Sequence, residues 1–181
     1  MEPYVLNIVG LKRNLPKIRI NEHLSIASFV MLGDTELTEK VAKALFEHKD
    51  FPRFDIDIIV CPEAKAIPLA HSIANLLGVN YVVVRKSVKS YMEDPIIENV
   101  KSITTTTEQL LVLNGIDANK LYGRNVCIVD DVASTGGSIK SIEKLLFRID
   151  CNVVCKAVAL LEDAGYAGYD LVYLEKLPIF D

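Results

Sequence analysis

The stretch Val126–Ser138, VCIVDDVASTGGS, decides the fold of this chain. Val126 to Val129 are apolar in succession, without the polar alternation of a sheet that has one wet face. They predict a strand covered on both sides, as in a parallel sheet flanked by helices. Two adjacent carboxylates, Asp130 and Asp131, end that strand. Ser134, Thr135, Gly136, Gly137 and Ser138 then turn into a helix. Such a loop sits at the carboxyl end of its strand, where open α/β sheets bind ligands. Its glycines let the backbone approach a ligand while N–H groups and hydroxyls converge at a helix N-terminus, which suits a phosphate dianion. Carboxylates repel phosphate, so Asp130 and Asp131 are expected to hold sugar hydroxyls or a hydrated cation. A phosphorylated sugar satisfies both halves. An ordinary strand–turn–helix connection explains the glycines but not the paired aspartates.

Toward the N-terminus, Ile56–Cys61 reads as a strand, Pro62–Ala66 as a tight loop and Ile67–Leu77 as a helix with Ile67, Ala70, Ile73, Ala74 and Leu77 on one face. Gly78 ends it, and Tyr81–Val84 is the next strand. The same β–loop–α–β order recurs over Val126–Ala159. There Ile139, Ile142, Leu145, Leu146 and Ile149 form a stripe, and Asn152–Leu161 returns as a strand; Leu171–Leu174 supplies a last one. The predicted class is α/β, an open parallel sheet with helices on both faces. Upstream, Tyr4–Val9 and Ile18–Ile20 are strand-like and Leu24–Leu32 is apolar. Asp34 or Thr35 caps a helix with a Leu37, Val41, Ala44, Leu45 stripe. Residues 87–108 are long and polar with a run of four threonines, and their flanks Val100–Thr104 and Gln109–Leu113 could pair as an arm. Asn114–Gly123 reads as a turn and a helical turn begun by Asp117.

At 181 residues, half of them hydrophobic, one domain over 1–181 is expected. No apolar run approaches a membrane span and the N-terminus shows no secretion signal. Cys61, Cys127, Cys151 and Cys155 lie in or beside apolar runs without a CxxC pair, which predicts buried reduced thiols in a cytoplasmic protein. A net charge of -4 argues against a nucleic-acid surface. His23, His48 and His71 are read as structural or surface residues.

The paired acids and T-G-G-S loop of Val126–Ser138 resemble the phosphoribosyl-pyrophosphate (PRPP) motif of type I phosphoribosyltransferases, and the chain is similar to the adenine and xanthine members of the purine branch. The resemblance implies that Ser134 to Ser138 hold the 5′-phosphate, that Val132 and Ala133 before them are also substrate-binding, and that Asp130 and Asp131 hold the ribose. It implies that Glu63-Ala64-Lys65 is the pyrophosphate loop, with Ala66 where glycine is common; a positive φ there would strain alanine. Arg85, Lys86 and Lys89, with an R-K-x-x-K spacing similar to that branch, stand at the same sheet edge, where they can neutralise a leaving pyrophosphate. Residues 1–33 correspond to a hood over the base, with Phe29 able to stack on a ring. Residues 87–108 correspond to a mobile flap that excludes water. Adenine-specific members carry a glutamate late in the flap. Thr104 stands there in this chain, which admits a 6-oxopurine and counts Thr104 with Asp130 and Asp131 among the catalytic candidates. Glu162 and Asp163, at a strand end, could face the base or simply be solvated.

The activity implied is transfer of phosphoribosyl from PRPP to adenine or a 6-oxopurine such as xanthine or hypoxanthine, giving a nucleoside 5′-monophosphate and pyrophosphate. Mg²⁺ is expected mainly on the substrate rather than in a protein metal site, with Asp130 and Asp131 as its nearest protein contacts. The resemblance also implies a homodimer, and neither nucleic acid nor membrane is expected as a partner. The alternative is a PRPP-binding regulator of the same fold without catalysis. Regulators of this kind usually carry an added DNA-binding module, for which no segment is legible.

Overall fold

The computed structural model describes residues 2–100, 109–166, 168 and 170–180. A hairpin of β1 (Tyr4–Ile8) and β2 (Leu11–Leu15) leads into β3 (Lys17–Asn21) and β4 (Leu24–Ala27). Then follow α1 (Thr35–Glu47), β5 (Ile58–Pro62), α2 (Ile67–Leu77) and β6 (Asn80–Val84). A second hairpin joins β7 (Ile96–Val100) to β8 (Gln109–Leu113). The chain continues through α3 (Gly115–Leu121), β9 (Asn125–Ala133), α4 (Gly137–Phe147), β10 (Asn152–Glu162), β11 (Leu171–Leu177) and β12 (Ile179–Phe180).

The central sheet runs β11-β10-β9-β5-β6, all parallel. Alternate residues of β5 enter different cores. Ile59 and Cys61 pack with Leu37, Val41 and Leu69 under α1 and α2. Ile58 and Val60 pack with Leu113, Leu121, Ile142 and Leu145 of β8, α3 and α4. Both faces are therefore covered, and this is why the strand sequences are apolar without alternation. Each such side chain contributes roughly 1.5–3 kcal/mol by leaving water. Beside the sheet, β12-β4-β3 form a small antiparallel hood.

Several boundaries differ from the sequence expectation. The strand of the opening motif does not end at the aspartates but continues to Ala133, because β10 pairs with it as far as Ala133↔Leu161. Strand β5 begins at Ile58 rather than Ile56, where Asp57 anchors the strand start by accepting from the Asn125 N–H at 2.9 Å. In α1 the buried residue between Val41 and Leu45 is Ala42, with Ala44 only half-buried. Asp34 is the cap, accepting from the Leu37 N–H at 3.1 Å while Arg13 Nε donates to its other oxygen at 2.7 Å. Strand β2 was not legible because its LKRNL sequence has only two apolar residues; the pairing of β1 with it supplies the missing structure. Helix α3 begins at Gly115 with Asn114 as its cap, so Asp117 lies in its first turn instead of starting it. In the arm, Ile96–Val100 pairs with Gln109–Leu113; of the expected flank Val100–Thr104, Val100 pairs with Gln109, and the remainder lies outside the described residues. No described helix is long and apolar enough to cross a membrane.

A half-buried cation ties the outer edge together. Lys156 of β10, its side chain only 12% exposed, meets Glu143 of α4 at 2.5 Å and Asp170 at 2.7 Å. Burial alone would lower its pKa, but the hydrogen bonds with Asp170 and Glu143 outweigh that and hold it above the ordinary lysine value. Lys156→Met is expected to destabilise the protein by about 1–3 kcal/mol, since two carboxylates lose their shared partner. An unchanged urea midpoint would show that the triad contributes nothing.

Candidate active site

Strand β5 pairs with β9 only as far as Val60↔Ile128, whereas β10 follows β9 to its end. Asp130 to Ala133 have therefore lost their neighbour on one side. The chain passes from β5 outward to β6 and from β9 outward through β10 to β11, so this gap is the topological switch point at which open α/β sheets bind ligands. A cavity of about 230 Å³ lies there, lined by Glu63, Ala64, Lys65, Lys86, Asp130, Asp131, Val132 and Ser138, with Leu110, Leu111 and Ile142 as apolar walls. A second cavity of about 250 Å³ lies toward the hood, between Ile26–Phe29 on one side and Ser134, Glu162 and Leu177 on the other. Lys65, Asp131 and Val132 line both.

The carboxylates are buried, each 8% exposed. Asp130 accepts from the Asp131 N–H at 2.8 Å, and Asp131 from the Val132 N–H at 3.0 Å. Burial pushes the Asp130 carboxyl well above the usual range, the negative charge of Asp131 adds to this, and Lys86 offsets part of it. Both groups keep acceptor capacity, which suits hydroxyl donors or a hard cation. Burial, with the charge of Asp130 added, pushes the adjacent Cys61 thiol up to about 12, so it is no nucleophile at neutral pH. All four cysteines are free; Cys151 is only half-buried, not buried as expected.

In the loop that follows, Gly136 caps α4 at φ +82° without a side-chain hydrogen bond, leaving the first-turn amides of the helix facing outward. A Cβ on Gly136 would lie 2.6 Å from two ring carbons of Tyr166, so glycine is required here by conformation and by contact. Ser134 lines the hood-side cavity and Ser138 the other; Ala133 is buried, and Thr135 and Gly137 are exposed at the loop surface.

The Glu63–Ala64 peptide is cis. Ala66 adopts φ -78°, an ordinary helical value, so the strain expected at that position does not arise. Of the cations proposed for the diphosphate, Lys65 and Lys86 line the cavity. Arg85 instead pairs with Glu63 and exchanges two backbone hydrogen bonds with Val112, at 2.8 and 2.7 Å, thereby tying the loop after β6 to both the Glu63 loop and β8. Lys89 donates to Ser87 at 2.6 Å. Phe29 is 5% exposed, packed in the core, and also borders the hood-side cavity. Thr104 lies outside the described residues. Sequence reading missed Leu110, Leu111, Ile142 and Leu177 as cavity walls; nothing distinguishes them in sequence from ordinary core residues.

A phosphoribosyl transferase domain model matches residues 31–170. A hypoxanthine/guanine phosphoribosyltransferase from Methanothermococcus okinawensis is 33% identical over 162 residues, 85% of this chain and 82% of that protein. One from Methanothermus fervidus is 32% identical over 68% of this chain, a match spanning 61% of that relative's length. The crystal structure of adenine phosphoribosyltransferase from Thermoanaerobacter pseudethanolicus superposes with a TM-score of 0.69 at 23% identity, covering 90% of this chain and 95% of that one, and shows the same fold. With its acid pair, glycine loop and Glu63 loop gathered at one switch point, and with these relatives on either side, the chain belongs to the purine phosphoribosyltransferases.

Proposed function

We propose that the protein transfers the phosphoribosyl group of PRPP to a 6-oxopurine, hypoxanthine or guanine, giving the nucleoside 5′-monophosphate and pyrophosphate. The observation that carries this reading is the pair of adjoining cavities that share Lys65, Asp131 and Val132. One is walled by cations and the acid pair, the other by the hood and Phe29, so a sugar at the shared residues has its diphosphate on one side and its base on the other. The outward-facing amides before α4 hold the 5′-phosphate. Asp130 and Asp131 accept from the ribose hydroxyls and fix the anomeric carbon toward the base. Lys65 and Lys86 take up the charge that grows on the pyrophosphate as its bond to the sugar breaks and the base nitrogen attacks. The two relatives described above, 32% and 33% identical, are named for hypoxanthine and guanine, which favours a 6-oxopurine over adenine.

The acid pair offers only hard oxygen donors, which suits Mg²⁺, and no described cluster of three or more acidic, His or Cys side chains forms a separate metal cage. Asp130 and Asp131 would be its protein contacts beside the substrate's own oxygens. The ion would neutralise charge on the diphosphate. The same reading carries a cytoplasmic homodimer, as the family resemblance implies. Pyrophosphate release is the decisive measurement, with PRPP, Mg²⁺ and each of guanine, hypoxanthine, xanthine and adenine. Release with guanine or hypoxanthine is expected. PRPP binding with no release for any base would replace the enzyme by a PRPP-binding regulator.

A further inference from the structure

Glu162, the last residue of β10, is a half-buried carboxylate that borders the hood-side cavity together with Phe29. Its surroundings are unusual for a half-buried charge. Among the described residues no Lys, Arg or His lies within ion-pair distance of it and no donor hydrogen-bonds to its side chain, although Lys65 borders the same cavity. The neighbouring hydrogen bonds are all backbone: Ala164 N–H donates to the Glu162 carbonyl at 2.7 Å and Asp163 N–H to the Leu177 carbonyl at 2.9 Å. These fix the strand end at the border of the hood-side cavity. Burial raises its pKa above the ordinary glutamate value, with no opposing contact. A half-buried carboxylate of this kind lacks the partners that buried charges ordinarily have. Its occupant should supply N–H donors.

We infer that Glu162 is a specificity-determining residue that selects guanine, accepting from the adjacent N1–H and 2-amino groups of the ring while Phe29 borders the base. An ionised carboxylate is an acceptor only, and two parallel N–H donors match its two oxygens. Guanine is the purine that presents such a pair on one edge. Hypoxanthine offers N1–H beside a bare C2–H and so makes one of the two bonds. Xanthine places a carbonyl oxygen beside N1–H, and adenine presents an unprotonated N1; both set lone pairs against the carboxylate. A site built to accept two hydrogen bonds discriminates against a ligand that leaves one unmade, because the desolvated acceptor then has no partner.

The inference rests on the reading that the hood-side cavity takes the base, and nucleotide binding tests it apart from catalysis. GMP, IMP, XMP and AMP are titrated calorimetrically into the wild-type chain and into Glu162→Gln, with PRPP titrated into both as a check on the fold. GMP is expected to bind wild type about tenfold or more tighter than IMP, one charge-assisted hydrogen bond being worth roughly that factor or above. In Glu162→Gln the amide NH₂ opposes one of the guanine donors, so the GMP/IMP preference should fall to within about threefold while PRPP affinity holds. Glu162→Ala serves the same purpose if the glutamine chain binds PRPP poorly. Equal GMP and IMP affinities in wild type, or a preference unchanged in both variants, overturns the role of Glu162. Pyrophosphate release with hypoxanthine and guanine alike, alongside such equal affinities, leaves the enzyme standing and removes only this residue's part. Absence of release with every base, alongside a GMP preference lost in the variants, removes the enzyme and keeps the site.

Discussion

Replacing Asp130 and Asp131 together by asparagine is expected to lower turnover about a thousandfold or more while the ligand-free protein becomes more stable at neutral pH. Both carboxylates are buried, and burial, with the charge of Asp131 beside it, pushes the Asp130 carboxyl far above its ordinary range. For a group whose folded pKa is raised, the folded chain keeps a proton that the unfolded chain has released, so stability falls as pH rises from about 4, the unfolded carboxylate value, to the folded pKa. Asparagine has no such titration. The stability gap in favour of the double variant should therefore open above about pH 4 and level off once the folded pKa is passed, reaching about 1–2 kcal/mol, as is common for substitutions that relieve a strained site. Catalysis moves the other way, because asparagine presents one acceptor oxygen and a donor NH₂ where the ribose needs acceptors, and its neutral amide cannot counter positive charge developing at the anomeric carbon. Urea midpoints from pH 4 to 8 and pyrophosphate release at saturating PRPP check both halves. Turnover within tenfold of wild type, or a stability gap that closes as pH rises, would show that the pair has been assigned the wrong work.

The part of the site legible in the sequence is the part made by consecutive residues. Asp130 and Asp131, the Gly136 turn and Glu63–Lys65 are each local patterns at a strand end, and their meeting follows from parallel strands placing all such ends on one edge. Where a role depends on which way a side chain turns after the strand, spacing gave no guide. Arg85, Lys86 and Lys89 look equivalent as R-K-x-x-K, yet only Lys86 borders the cavity, because the backbone bonds of Arg85 to Val112 orient that residue toward Glu63. The hood was the least legible region. Its sheet joins β3 and β4 to β12 at the far end of the chain, and its short strands carry exposed Ile18, Ile20 and Ile179, so no periodicity marks an inner face. Glu162 is legible only as an acidic residue at a strand end, because the cavity it borders is completed by Ile26–Phe29, far from it in sequence.

Gly136→Ala should raise the KM for PRPP by about thirty- to a hundredfold, with a smaller effect on kcat, and Tyr166→Ala in the same chain should recover part of that loss. Two separable costs act at this position. The first is conformational: φ of +82° is a left-handed value that costs an L-residue roughly 1–2 kcal/mol. The second is contact: the added methyl would lie 2.6 Å from two carbons of the Tyr166 ring. That ring cannot withdraw freely. It packs against the cluster of Ala133, Ile139 and Val158, and a Cβ on Gly168 would meet it at 2.5 Å on its other side. Lys156 further holds the segment through Asp170. The loop must therefore move instead, and with it the first-turn amides of α4 proposed to hold the 5′-phosphate. Removing the Tyr166 ring relieves the contact but leaves the φ cost. PRPP titration of wild type, both single variants and the double variant gives the coupling directly: the double variant should bind better than the sum of the single losses predicts, while remaining weaker than wild type. Strict additivity would mean that Tyr166 does not press on the phosphate loop, and full recovery would mean that the left-handed backbone at Gly136 carries no cost of its own.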